Sequence, residues 1–317
     1  MPQNRIQFQP GMSLSELIER FGTEAQCEAA LEQARWPSGF ICPECGEHKH
    51  SVFLVNGQRV WQCVHCRQRT TLYSGTLFHA TKLALTKWFQ AIYLLSQDKT
   101  DHSALSLKRY LGVCYRTAWR LKHKILEAMG ERDDNRQLSG VVIADDAYLG
   151  GVHEGKPGRG SENKAPFIAA VQCSDEGHPL YMRLDALPDL KGTSVEQWAR
   201  KALHPTAHLV TDALASLDAA SAVVTEYTAI TVSPRKSSEL GVFQWVNTII
   251  GNFKTAVRGT YHHINVHKYL ARYLAEAQYR LNRRYELHAL VDRLLHACVS
   301  TAPCPEKWLR LAETRSS

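Results

Sequence analysis

No run of apolar residues in this chain is longer than five, as in Ala91 to Leu95. A membrane-crossing helix needs about 20, so a spanning protein is excluded. The opening stretch MPQNRIQFQPGMSLSE has no apolar core of the kind an export signal carries. A paired set of cysteines is also lacking. Nine is an odd number for a chain of 317 residues, which argues against a disulfide scaffold, and four of the nine sit as two CxxC pairs, the arrangement of a metal site in a reducing compartment. What is present is an ordinary globular composition, 44% hydrophobic and 22% charged, long enough for about two domains.

The net charge of +7 is unevenly spread. Residues 1–47 carry 3 basic and 7 acidic groups, residues 48–126 carry 13 basic and 2 acidic, and residues 127–317 carry 22 of each. All the excess positive charge therefore falls in one segment, the electrostatic footprint of a polyanion binder.

Ser13 with Glu16 and Thr23 with Gln26 are capping-box spacings, predicting short helices over 13–34, with Leu14, Leu17, Ile18 and Phe21 on one face. Cys42 and Cys45 form one CxxC knuckle and Cys63 and Cys66 a second, 17 residues on. Asn56-Gly57 between apolar runs marks a hairpin joining the knuckles. Zn²⁺ takes four soft ligands in a tetrahedron, so the pattern predicts a closed, structural zinc ribbon. His48, His50 and His65 are surplus to it and, with Arg59, Arg67 and Arg69, read as surface groups. A stripe of Leu85, Trp88, Phe89, Ile92, Tyr93 and Leu95 opens a helical region. Its end, HSALSLKRYLGVCYRTAWRLKHKI (102–125), has the helix, glycine-containing turn and second helix of a helix-turn-helix. Arg116, Arg120, Lys122 and Lys124 would face DNA, with Trp119 and Leu121 packing behind.

Beyond a polar stretch at 130–140 the texture becomes mixed α/β, with strands expected over 140–149, 167–173, 179–184, 208–212 and 227–232. Asp145 lies on the first and Asp212 ends the fourth. Metal-dependent phosphoryl transfer needs carboxylates converging from separate elements on two divalent ions. In the helix LGVFQWVNTIIGNFKTAVRG (240–259), Val242, Val246, Ile249, Phe253 and Val257 form a buried stripe. Asn247, Gly251 and Lys254 share another face, where Asn247 can ligate a metal, Gly251 leaves room for a backbone or ion, and Lys254 can hold a phosphate.

RWPSGFICPECG (35–46), SGTLFHATKLALTKWFQAIYLL (74–95), LKRYLGVCYRTAWRLKHKI (107–125), ADDAYLGG (144–151), HLVTDALASL (208–217), WVNTIIGNFKTAVRGTYHHI (245–264) and KYLARYLAEAQYRLNRR (268–284) together resemble bacterial insertion-sequence transposases of the DDE type, the ISXO-two-like group with an N-terminal zinc ribbon. The resemblance implies an α/β, ribonuclease-H-like catalytic domain after a zinc ribbon and a helix-turn-helix-like region. It puts the catalytic set at Asp145, Asp212, Asn247 and Lys254, with Mg²⁺ or Mn²⁺ as two ions on the first three. Two departures matter: Asp146 stands where many relatives have Glu and, by strand alternation, should point away from Asp145, and the third acid is Asn247. Glu239 and Glu276 are outside candidates for a replacement acid. Tyr261, His262 and His263 lie near enough to take part, and Arg283-Arg284 would suit phosphate.

The expected organisation is a short helical segment (1–35), the zinc ribbon (36–75), a helical DNA-binding region (76–130), a linker (131–139), the transposase domain (140–290) and a tail (291–317). The expected function is binding of terminal inverted repeats with metal-dependent cleavage and transfer of DNA strands. The alternative is a DNA-binding regulator on an inactive nuclease-like domain. Double-stranded DNA would be the partner, two ends would call for a homodimer or larger assembly, and the expected place is the bacterial cytoplasm, on the nucleoid when DNA is bound.

Overall fold

The structure, a computed structural model, describes residues 8–98, 100–150, 164–213, 217–231 and 241–312. It divides into two compact units, Met1–Met129 with Tyr285–Ser317, and Gly130–Arg284.

In the first unit, α1 (Leu14–Phe21) and α2 (Glu24–Arg35) begin at the expected caps. Ser13 accepts from the Glu16 N–H at 3.1 Å, and Thr23 and Gln26 make a reciprocal capping box. Leu17 and Phe21 are buried, but Leu14 and Ile18 stay 59% and 60% exposed, because the apolar face is wider than the surface that covers it. β1 (His50–Val55) and β2 (Gln58–Cys63) pair antiparallel, and β3 (Arg69–Thr71) adds to β2. Asn56 and Gly57 turn between them with φ of 50° and 78°, the two positive values a tight hairpin turn demands. α3 (Leu85–Gln97) buries Leu85, Trp88, Phe89, Ile92 and Leu95. α4 (Ala104–Leu111) ends at Gly112 in the left-handed conformation, and α5 (Tyr115–Asp134) follows.

The expected linker over 131–139 is mostly absent as such. Four of its residues are the last turn of α5, since Glu, Arg and Asp side chains continue a helix readily when paired. Leu138 is fully buried and exchanges backbone hydrogen bonds with Ala202 and His204 at 2.8 Å each.

The second unit is built on a five-stranded sheet of β4 (Val141–Leu149), β5 (Ala165–Cys173), β6 (Pro179–Ala186), β7 (His208–Asp212) and β8 (Glu226–Ile230), in the order β6-β5-β4-β7-β8. β4, β5 and β6 are antiparallel neighbours, while β7 runs parallel to β4 and β8 parallel to β7. On one face α6 (Gly192–Ala202) lays Val195, Trp198, Ala199 and Ala202 into a core with Val142, Ala144, Ile168, Ala170 and Leu209. α7 (Gln244–Thr260) packs on β4 and β5, with Phe253 edge-on to Phe167 at 5.6 Å. Val242 falls before α7 and is 37% exposed, so the buried stripe is Val246, Ile249, Ile250, Phe253 and Val257.

α8 (Val266–Asn282) runs along β6, an edge strand. Asn282 accepts from Met182 N–H at 2.8 Å and donates to its carbonyl at 3.0 Å, and Gln278 accepts from Leu184 N–H at 2.7 Å. One helical turn of four residues rises about 6 Å and two strand residues about 6.7 Å, so two amides at i and i+4 match alternate backbone groups of the strand. The helix thereby covers polar groups that an open edge would present.

The residues expected as a tail form α9 (Leu290–Ser300) and α10 (Glu306–Leu311), both in the first unit. α9 packs on α2 and α3, burying Leu290, Val291, Leu294, Leu295 and Cys298. Arg20 grips Asp292 with two bonds of 2.9 Å.

Candidate functional site

The CxxC turns bring four thiols together. Cys42 and Cys66 are 3.5 Å apart, Cys45 and Cys63 3.6 Å, Cys45 and Cys66 3.5 Å, and all four sulfurs lie within 4.8 Å of one another. Zn–S bonds of about 2.3 Å in a tetrahedron give sulfur separations of about 3.8 Å, so the cluster fits zinc with no position left open. Burial opposes ionisation of Cys42, but the Cys45 and Glu44 amides outweigh it and bring the thiol down to about 7. The Glu47 amide favours the Cys45 thiolate, yet burial and the neighbouring sulfurs push it up to about 12. Four such sulfurs ionise together only around a cation. Among the described residues no other group of three His, Cys, Asp or Glu side chains has metal-site spacing.

His48, His50, His65, Arg67 and Arg69 are exposed. Arg59 is ion-paired with Glu32 at 2.6 Å and lies over Trp61.

On α5, the four expected DNA contacts separate into two kinds. Arg116 and Arg120 are exposed, with side-chain exposures of 69% and 46%. Lys122 is 1% exposed and donates to the His102 carbonyl at 2.6 Å. Lys124 donates to the Leu77 carbonyl at 3.0 Å, and burial pushes its ammonium down. Lys122 and Lys124 thus tie the unit together rather than forming a free basic surface. The cause is helix geometry: residues 121, 122, 125 and 126 of α5 are all buried, a face broad enough to take in lysines whose heads find carbonyls.

The register of the sheet sets the acidic site. Asp145 stands opposite Ala169, and Ala147 opposite Phe167, the residue that meets Phe253 of α7. Asp145 therefore points to the α7 face. β4 pairs with β7 through Val142–Leu209, Ile143–Val210 and Ala144–Thr211. Asp145 and Asp212 are the next residues of the two strands, and alternation puts both on the α7 face of the sheet. Both are buried, at 9% and 6% exposure. Asp146 shares the opposite face with Ala144 and Ile168 of the α6 core, as alternation requires.

Lys254 of α7 is half-buried. Burial and the Arg258 charge push its ammonium down, while Asp145 and Asp146 favour it, so the lysine lies within the field of the acidic strand. Asn247 is half-buried two turns earlier and donates Nδ2 to the Phe243 carbonyl at 3.0 Å, which commits the amine end of the amide and leaves the oxygen end for a ligand. Gly251, between them, is exposed, and a Cβ there would meet nothing within 4 Å; no backbone approaches it.

Glu276 is fully buried on α8, and Glu239 lies outside the described residues. Tyr261 packs edge-on against Tyr273 at 5.0 Å, with His262 and His263 exposed. Arg283 pairs with Asp133 and Arg284 donates to the carbonyls of Leu281, Leu180 and Pro179, so both arginines serve the fold instead of a phosphate.

Sequence reasoning missed the partner of the exposed arginines. Glu306 of α10 accepts from Arg116 Nε at 3.0 Å on both oxygens, from Arg310 at 2.8 Å and from Arg120 at 3.5 Å. Arg116 and Arg120 are separated from Glu306 by 190 and 186 positions in sequence, and no local spacing could announce the contact.

Comparison with known proteins gives two family matches. Residues 137–282 match the ISXO2-like transposase domain and residues 22–69 the transposase zinc-ribbon domain. An uncharacterized protein in transposable element ISH50 of Halobacterium salinarum is 31% identical over 180 residues, 51% of this chain and 59% of that protein. The matched part is thus less than two thirds of the relative's length. Solved structures of the Mos1 mariner paired end complex with Mn and of a pre-cleavage Mos1 transpososome are each 13% identical, with TM-scores of 0.24 and 0.23, covering 67% of this chain and 77% of theirs, a likeness too slight to define a shared fold.

Proposed function

From the premise that this chain belongs to the ISXO2-like transposases, with a transposase zinc ribbon ahead of the transposase domain, we propose that it binds the ends of an insertion sequence, cuts a DNA strand there and transfers the new end to target DNA. The observation that carries the reading is the parallel pairing of β4 with β7 up to Ala144–Thr211, which leaves Asp145 and Asp212 as the next residue of each strand on the same face of the sheet. A divalent cation relieves the repulsion between two carboxylates held on one buried face, so this pair of aspartates fits a divalent metal. The strand order, three antiparallel strands followed by two parallel ones on the far side of β4, supports a ribonuclease-H-like core.

Magnesium or manganese bound here would supply Lewis acidity for the attacking hydroxyl or water and for the leaving oxygen of an in-line displacement. Asp145 and Asp212 would hold it with charge, and Asn247 with its amide oxygen. Replacing an acid by Asn247 removes one negative charge from the cage, so more of the ligation falls to the DNA phosphate. Lys254, already in the field of Asp145, would hold that phosphate in line. The positive excess of residues 48–126 supports DNA as the partner of the first unit, where α4, Gly112 and α5 support a helix-turn-helix reading with Arg116 and Arg120 outward. Holding two ends at once supports a homodimer or a larger assembly. Among the described residues no helix is long and apolar enough to cross a membrane.

The test is cleavage of labelled end DNA with Mg²⁺ or Mn²⁺, run beside a gel-shift assay. Undiminished cleavage by Asp145→Asn would sink the assignment.

A further inference from the structure

The first unit contains a cavity of about 520 Å³ that none of the roles above uses, within the roughly 300–1,000 Å³ of small-molecule sites. Its walls come from three distant stretches of chain: the turn 79–83 with Trp88 of α3, one side of α5, and residues 304–306 leading into α10. The turn is held under constraint. Ala80 has φ of 53°, a conformation that side-chain-bearing residues keep only where the surroundings impose it, as at ligand sites. Thr81 is fixed by accepting the indole N–H of Trp88 at 3.0 Å.

The lining has two characters. Lys82, Arg120 and Lys124 bring three basic groups, Lys124 with one of its donors already on the Leu77 carbonyl. The one acidic lining residue is Glu306, which pairs with Arg120 of the lining at 3.5 Å and more closely with Arg116 and Arg310, which stand outside it. The cations of the cavity therefore outnumber their internal counter-charge, and an anion is the complement. Leu83, Leu121 and Pro305 form an apolar wall beside them. A bare phosphate would leave that wall wet, and an apolar ligand would leave the cations unmatched. A double helix is too wide to enter, while one nucleotide satisfies both halves: a phosphate for the cations and a flat base for the wall.

We infer that this cavity takes a single nucleotide of a DNA strand drawn out of the double helix, with its phosphate at Lys82, Arg120 and Lys124 and its base at Leu83, Leu121 and Pro305. This rests on the reading of the first unit as DNA-binding, but it concerns a different state of the DNA from the paired ends.

The experiment uses the full zinc-loaded chain and a short fluorescein-labelled oligothymidylate, read by anisotropy. Thr117 lines the cavity without carrying charge, so Thr117→Trp fills the space and leaves the electrostatics alone; Lys82→Glu reverses a charge on an exposed side chain. Each variant should weaken oligothymidylate binding by about tenfold or more. Thymidine monophosphate should compete at far lower concentration than inorganic phosphate. Unchanged affinity in Lys82→Glu, or in a folded Thr117→Trp, overturns the inference. So does no binding by the parent chain, or competition by inorganic phosphate as effective as by the nucleotide, which would leave an anion site alone. If Thr117→Trp fails to fold, Lys82→Glu decides. Failure of end cleavage by the parent chain would count against the transposase reading and leave the oligothymidylate result standing.

Discussion

Asp133 and Arg283 face each other inside the second unit, with oxygen–nitrogen distances of 2.6 and 3.1 Å, at only 3% and 12% side-chain exposure. Asn282 donates to the same carboxylate at 3.3 Å, and Arg283 also lies over the Tyr279 ring at 3.6 Å. The pair links the end of α5 to the end of α8. Removing one member leaves a buried charge without its partner, which costs about 3–5 kcal/mol. Asp133→Ala should therefore lower the denaturant midpoint of the second unit by that equivalent. A loss under about 1 kcal/mol would class it with surface ion pairs.

Asp145→Asn and Asp212→Asn should each abolish cleavage and strand transfer while end binding survives. Each replaces a charged ligand by a neutral one, and groups that act as a unit lose nearly everything when one goes. Loss of binding along with cleavage would point to an unfolded sheet, and far-UV circular dichroism of the two variants separates the cases.

Asn247 should respond differently to its two replacements. Asn247→Ala removes the amide oxygen and should cut the cleavage rate strongly. Asn247→Asp keeps the length and adds charge, so activity should persist with a lower Mg²⁺ concentration at half-maximal rate. Lys254→Ala should impair cleavage with little change in that metal dependence. Equal metal curves for Asn247→Asp and the parent chain would remove Asn247 from the cage.

Zinc should accompany the reduced, folded chain at one ion per molecule. Cys63→Ser should release it and weaken DNA binding more than it disturbs the second unit. Because thiolates are the ligands, acidification should release the metal as well. Metal analysis that finds none in a folded, reduced sample refutes the assignment.

Glu306 carries a pH dependence of predictable sign. The hydrogen bond from Arg116, with help from Arg310, holds its carboxyl at about 2, below its ordinary 4.5. A depressed carboxyl stabilises the folded contact above its unfolded value and loses that contribution as pH falls toward 2. Fluorescence from Trp119, over which Arg310 stacks at 4.9 Å, should change across that range. Glu306→Gln should show no such transition. An identical profile in the variant would deny the contact.

Elements whose signals are local were readable in advance. The caps at Ser13 and Thr23, the Asn56-Gly57 turn, the CxxC knuckles and the Gly112 stop each depend on residues a few positions apart. The alternation that sets Asp146 opposite to Asp145 was equally plain. The acidic run after Gly130 misled because polarity suggests a linker, while a helix can continue through it once Asp133 has a partner 150 positions away. Lys122 and Lys124 misled likewise: a lysine on a helix signals solvent until a carbonyl is found for it within the fold. The C-terminal segment carried no pattern that assigned it to a place. A fragment ending at residue 130 would uncover the faces of α2 and α3 that α9 occupies, so the first unit cannot be cut from the chain there.

The sequence by itself therefore determined the kinds of chemistry present: four thiolates at a metal's spacing, two strand-borne aspartates, an amide and a lysine on one helix, and a basic segment. Those follow from covalent order and short-range periodicity. Only the tertiary structure decided which of them meet. Parallel pairing of β4 with β7 put Asp145 and Asp212 on one face of the sheet, α10 brought Glu306 to Arg116 and Arg120, and three distant stretches closed a cavity around Lys82 and Lys124. Such contacts depend on how buried faces pack across the fold, and packing has no signature in the spacing of residues along the chain.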